Sequence, residues 1–125
     1  MSQDWHVDDR VDLDRAVLEI SRRLATWRTR GVMPSEITWR DQGEGWPPSL
    51  KTERSAVVDA DSIGIEVRKG EQSGQLVLYR GGWADLEYWN GNPADDAIVE
   101  APGWEDWLTV ERFGDLLDRF ASLFK

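Results

Sequence analysis

The chain has 125 residues, 24 acidic and 15 basic side chains, and a formal charge of −9. Area scaling has such a chain bury about two-thirds of its surface on folding, enough for one core, so residues 1–125 read as a single domain. A composition of 40% hydrophobic and 31% charged residues excludes both a disordered chain and a membrane protein.

The longest apolar run, Leu76-Val77-Leu78-Tyr79, is far short of the ~20 residues a spanning helix needs. The opening Met1-Ser-Gln-Asp-Trp-His lacks the basic flank and apolar core of a secretory signal. Cysteine is absent, which removes disulfides, thiolate nucleophiles and sulfur-ligated zinc and fits a cytoplasmic protein. A pI near 4.5 argues against nucleic acid or an anionic membrane as partner, because phosphate binding needs clustered Lys and Arg.

Residues 1–10 read as a polar, flexible lead-in. From Asp12, a candidate N-cap, Leu13, Ala16, Val17, Ile20, Leu24 and Trp27 recur at helical spacing, and Gly31 and Pro34 close a helix over about 12–30. Ile37-Thr38-Trp39 is a candidate short strand. The Gly43–Ser49 stretch is a loop whose Trp46 caps one end of the core.

The period then changes to two. Ile63, Ile65 and Val67 alternate with Gly64, Glu66 and Arg68 in a half-buried strand, and Ser55–Asp59 adds an earlier strand or extends this one. Lys69–Gly74 is a turn, Gln75–Arg80 a second strand, Gly81-Gly82 a tight reversal and Trp83–Trp89 a third strand. A loop leads to a fourth strand, Ala97–Glu100. Connections this short force antiparallel neighbours, hence a meander. Thr109 is a candidate N-cap, with Glu111 at the positive end of a second helix. That helix buries Val110, Phe113, Leu116, Leu117, Phe120, Leu123 and Phe124. The expected fold is α+β: two layers, an antiparallel meander of four or five strands, and an N-terminal and a C-terminal helix on one face.

The charge is uneven. Residues 1–54 sum to −1 and residues 55–125 to −8, and Gly81–Glu111 holds eight carboxylates with no Lys or Arg. Four of the eight tryptophans lie in the same window. Like charges without interspersed cations weaken the compact state, so a partner is expected to reward them. Alternation in the third strand puts Ala84, Leu86 and Tyr88 on one face and Trp83, Asp85, Glu87 and Trp89 on the other. Either this second face is open, or a loop such as the Trp46 segment folds over it. The candidate partner-binding residues are Trp83, Asp85, Glu87, Trp89, Asp95, Asp96, Glu100, Trp104, Glu105 and Asp106, aromatic anchors among charges.

Catalytic signals are weak. His6 is the only histidine and lies in the lead-in, which argues against a triad or a His-ligated metal. Asp59-Ala-Asp61-Ser-Ile63-Gly64 opens like a calcium loop, but Ile63 occupies a ligand position and Gly70 stands where the bidentate Glu belongs. Carboxylate pairs such as Asp85 with Glu87 are common in so acidic a chain. No catalytic residue, metal or cofactor is assigned, and the chain is read as a non-enzyme.

Arg54-Ser-Ala-Val-Val-Asp, Ile65 and Gly74-Gln-Leu-Val-Leu-Tyr-Arg-Gly-Gly-Trp-Ala-Asp-Leu-Glu together resemble the TriTu family of bacterial immunity proteins. The resemblance covers about half of the chain. It departs from the family at Tyr79, where Trp is frequent, at the extra residue in Gly81-Gly82-Trp83, and at the insertion around Trp46. It implies a cytoplasmic antidote to a secreted ADP-ribosyltransferase toxin of the kind that modifies elongation factor Tu, and transfers no binding residues. The charge pattern independently suits an immunity protein that covers a toxin's basic cleft. A different class, an acidic DNA mimic or regulator that blocks a nucleic-acid-binding partner, would need carboxylates spaced like phosphates. A third, a small carboxylate-using hydrolase, would need two close carboxylates in a deep pocket.

Overall fold

The computed structural model describes residues 10–42 and 49–125. Helix α1 (Leu13–Thr29) starts where expected: the Asp12 carboxylate accepts from the N–H groups of Asp14 and Arg15, replacing partners that a helix N-terminus lacks. Strands β1 (Met33–Pro34), β2 (Thr38–Asp41), β3 (Ala60–Lys69), β4 (Gln72–Tyr79), β5 (Ala84–Trp89) and β6 (Ile98–Glu100) form one antiparallel sheet, and helix α2 (Val110–Ser122) follows. The Thr109 hydroxyl caps α2 by accepting from Arg112 N–H. The fold is α+β, with both helices on one face of an open sheet.

Three local readings are corrected. Ser55–Asp59 is no strand; a short 3-10 turn over Arg54–Ala56 leads into β3. The turn after β3 is only Gly70-Glu71, because Lys69 pairs with Gln72 and β4 begins there. Gly70, at φ +59°, supplies the left-handed residue that a two-residue hairpin requires, and the ladder continues through Ser73 and Gly74. The sheet has six strands rather than four or five. Both β1 and β2 pair with β3, one beyond the other along the same edge, so the order is β1-β3-β4-β5-β6 with β2 also on β3. The expected flexibility of residues 1–10 and the capping role of Trp46 concern positions outside the described residues, apart from Arg10, whose N–H donates to Arg80 O at 2.8 Å.

One core lies between the sheet and the helices. Ile63, Ile65 and Val67 from β3, Leu76 and Leu78 from β4, and Ala84, Leu86 and Tyr88 from β5 face Ile20 and Trp27 of α1 and Phe113, Leu117 and Phe120 of α2. Burying each large side chain contributes about 1.5–3 kcal/mol. Gly74 lets α2 settle on the sheet: a Cβ there would come within 2.7 Å of Phe124 and 2.8 Å of Phe120. The helices are tied together by Arg23, which donates to Asp118 at 2.7 Å and to Glu19 at 3.0 Å.

Candidate protein-binding face

The period-two pattern that gives the core one face of the sheet gives the other face its own set of residues. Registers place Arg40, Ser62, Tyr79 and Trp83 in one row; Thr38, Gly64, Val77 and Asp85 in the next; then Glu66, Gln75 and Glu87 with Val99; then Arg68, Ser73 and Trp89. No helix among the described residues lies on this face. Asp85, Glu87, Glu66 and Trp89 are exposed, and Val99 is 69% exposed. The four residues expected to share a face do so.

Among the described residues elsewhere, seven carboxylates pair with arginine. Asp14 pairs with Arg54, Glu19 with Arg22 and Arg23, Asp118 with Arg23, and Asp59 with Arg80. A hydrogen bond from Arg54 holds the Asp14 carboxyl below its ordinary range, and Arg23 does the same for Asp118. On the open face, Glu66, Asp85 and Glu87 form no ion pair among the described residues. Among the described residues, Asp85 accepts from the Tyr79 hydroxyl alone, at 3.1 Å. Burial, followed by the Asp85 charge and this bond, pushes the Tyr79 phenol above its ordinary value. A shallow groove of about 240 Å³ between Glu66, Arg68, Gln75, Glu87 and Trp89 runs along this face, so one cation shares it with the carboxylates.

At one end of the face, a register irregularity between Arg40 and Asp41 leaves Asp61 as an extra residue in β3, a bulge that brings its side chain to Arg40. Arg40 donates to Asp61 Oδ2 at 2.8 Å, while Oδ1 is buried without a hydrogen-bond partner. The same carboxylate borders a notch of about 210 Å³ lined by Gln42, Tyr79, Arg80, Gly81 and Trp83.

The remaining candidates are not all assembled here. Trp89 is 36% exposed, and its indole N–H is committed to the Asn92 and Asp95 carbonyls, so only its ring is offered. Asp95 also accepts from Asn90 within that loop; Asp96 is exposed beside it. Trp104 joins the face by stacking on Trp83. Glu105 is exposed nearby in the chain, but Asp106 pairs with Arg112 at 2.6 Å and Glu100 pairs with Arg119. This corrects the expectation of a cation-free patch: Gly81–Glu111 has no cation in sequence, yet α2 lends it Arg112 and Arg119, and Arg10 lies over Trp107 at 4.5 Å. Asp85, Glu87, Asp95, Asp96, Glu105 and Glu111 stay without an ion pair among the described residues, and of these Asp85 and Glu87 share the open face with Glu66.

Sequence reasoning missed Glu66, Tyr79 and Asp61. Glu66 could have been found by extending the face argument from β5 to β3; the bulge that re-aims Asp61 carries no sequence signal. Among the described residues no cluster of His, Asp and Glu is arranged to hold a metal, and no helix is long and apolar enough to cross a membrane. No family model, curated protein or solved structure matches the chain.

Proposed function

We propose that this protein is an inhibitor that works by binding, an immunity protein whose open sheet face docks on the basic cleft of a cognate toxin. The observation that carries the reading is clustering: Glu66, Asp85 and Glu87, none in an ion pair among the described residues, share one exposed sheet face with Trp83 and Trp89. Of the cations on that face, Arg40 is held by Asp61, and Arg68 stands at the far end in the row of Trp89. Unpaired carboxylates steer a positively charged partner and raise the association rate; the rings supply desolvated contact area. An ADP-ribosyltransferase, which must hold the phosphates of its dinucleotide, has a cleft of matching sign.

The DNA-mimic alternative is weaker. Residues two apart on a strand stand ~7 Å from one another, a phosphate-like spacing, but the row ends after Asp85 and Glu87 at Trp89.

Co-expression with an ADP-ribosyltransferase toxin domain that has a basic cleft tests the reading. The native protein should restore growth. Asp85→Lys with Glu87→Lys should slow association by roughly tenfold or more and weaken protection, with the effect shrinking in high salt. Failure of the native protein to protect, or full protection by the double variant, overturns it.

A further inference from the structure

Tyr79, Trp83 and Trp104 form a stack of three nearly parallel rings, with centroids 4.1 and 4.9 Å apart and planes inclined by 17° and 18°. Trp83 is the middle plate, covered on both sides. Trp104 is the outer plate and is 68% exposed, more than Trp107 or Trp89. Hydrophobic burial does not account for placing a ring so far out in water.

The backbone is nonetheless built to hold it there. Gly103 has φ +101°, and a Cβ on it would lie 2.4 Å from Gly82 O and 2.8 Å from Trp83 Cα. Only glycine fits, and the close approach sets Trp104 beside Trp83.

The chain's own arginines show what its tryptophan faces accept. Arg10 lies over Trp107 at 4.5 Å and Arg54 over Trp39 at 5.1 Å. Among the described residues no cation lies over Trp104, and the neighbouring Glu105 makes no ion pair.

The geometry points to the outer face of Trp104 as the seat of an arginine guanidinium supplied by a binding partner. The inference rests on the reading of the adjoining sheet face as partner-facing, and names the chemical group the partner brings. A guanidinium is planar, sheds water more readily than an ammonium, and stacks flat on an indole. A nucleobase would also stack, but its phosphate would meet the unpaired carboxylates.

The probe is a hexapeptide alternating glycine and arginine, titrated at low salt into the isotope-labelled full chain while the indole N–H signals are followed. Counterpart peptides replace every arginine with lysine or with neutral citrulline. The arginine peptide should shift the Trp104 signal saturably, the lysine peptide should need a concentration roughly threefold higher or more, and citrulline should leave it unmoved. Trp104→Leu should weaken arginine-peptide binding by roughly threefold or more; its side chain being exposed, the thermal midpoint should change little, and a melt checks this. Equal response to lysine and arginine, a response to citrulline, or unchanged binding by Trp104→Leu overturns the guanidinium seat. None of these touches the docking face, which fails only if co-expression gives no protection or the Asp85 and Glu87 variant protects fully.

Discussion

Gly103→Ala is the sharpest probe of how Trp104 is held. The added Cβ would meet backbone atoms, Gly82 O at 2.4 Å and Trp83 Cα at 2.8 Å, and neither can rotate aside. The segment after β6 must then lift away from the β4–β5 turn. That strains or breaks the bonds from Ala84 N–H to Pro102 O at 2.9 Å and from Leu108 N–H to Gly82 O at 2.7 Å. Two such bonds are worth about 1 kcal/mol each, and a non-glycine residue at this φ costs about 1–3 kcal/mol if the segment stays. Because lifting caps the cost, the expected loss is about 2–3 kcal/mol. For a chain of 125 residues, 1 kcal/mol corresponds to about 4 °C in thermal midpoint, so the variant should melt about 8–12 °C lower. Gly70→Ala is the control: φ is +59° and nothing lies within 4 Å of the new Cβ, so only a left-handed backbone penalty of about 1 kcal/mol, about 4 °C, applies. Calorimetry on both variants, with the Trp104 indole resonance as a marker of the stack, decides the matter. Equal midpoints for the two variants, or an unmoved Trp104 resonance in Gly103→Ala, refutes the reasoning.

Gly74→Val forces Phe120 and Phe124 off β4 and should lower stability by about 1–3 kcal/mol in urea unfolding; a neutral result would mean that α2 does not sit where described. Asp14 and Asp118 have carboxyls lowered from 3.8 by their arginines, so the stability they add is complete above that value and fades as pH falls below it. The urea midpoint should drop on acidification through this range, and Asp118→Asn should flatten the drop more than Asp14→Asn, because Arg23 is the more buried arginine. The chain has only two tyrosines, both with phenols raised above 10.0: Tyr88 by burial, Tyr79 by burial and then by Asp85. Ultraviolet titration should therefore show no tyrosine ionising normally in the native state. Asp85→Asn should bring Tyr79 alone back toward the ordinary value, and a response from both or neither would sever the Tyr79–Asp85 link.

The parts of the fold legible in the sequence are those set by near neighbours. The helical stripes of α1 and α2, their Asp12 and Thr109 caps, and the alternation in β3 and β5 are local, and the residues sharing the β5 face follow from alternation alone. Ser73 and Gly74 looked like turn because their small polar composition matches one, whereas the cross-strand ladder from β3 and the rings over Gly74 make them strand. The split edge formed by β1 and β2 could not be read, since two separate segments share β3 only after the sheet exists. For the face, the same limit held: that Arg119 would reach Glu100 and Arg112 would reach Asp106 depends on where α2 comes to rest. The stack of Tyr79, Trp83 and Trp104 depends likewise on a close backbone crossing at Gly103.

The strands β3 to β6 lie in the sheet in the order in which they occur in the chain. On the ribosome, each can therefore zip onto its predecessor as it emerges, with no wait for a distant segment. The layer that covers them has no such luxury, because Arg23 must find Asp118, 95 positions later. Until α2 emerges, a chain halted after β6 leaves part of the oily underside of Leu76, Leu78 and Leu86 open to solvent or to a chaperone, with α1 alone to cover it.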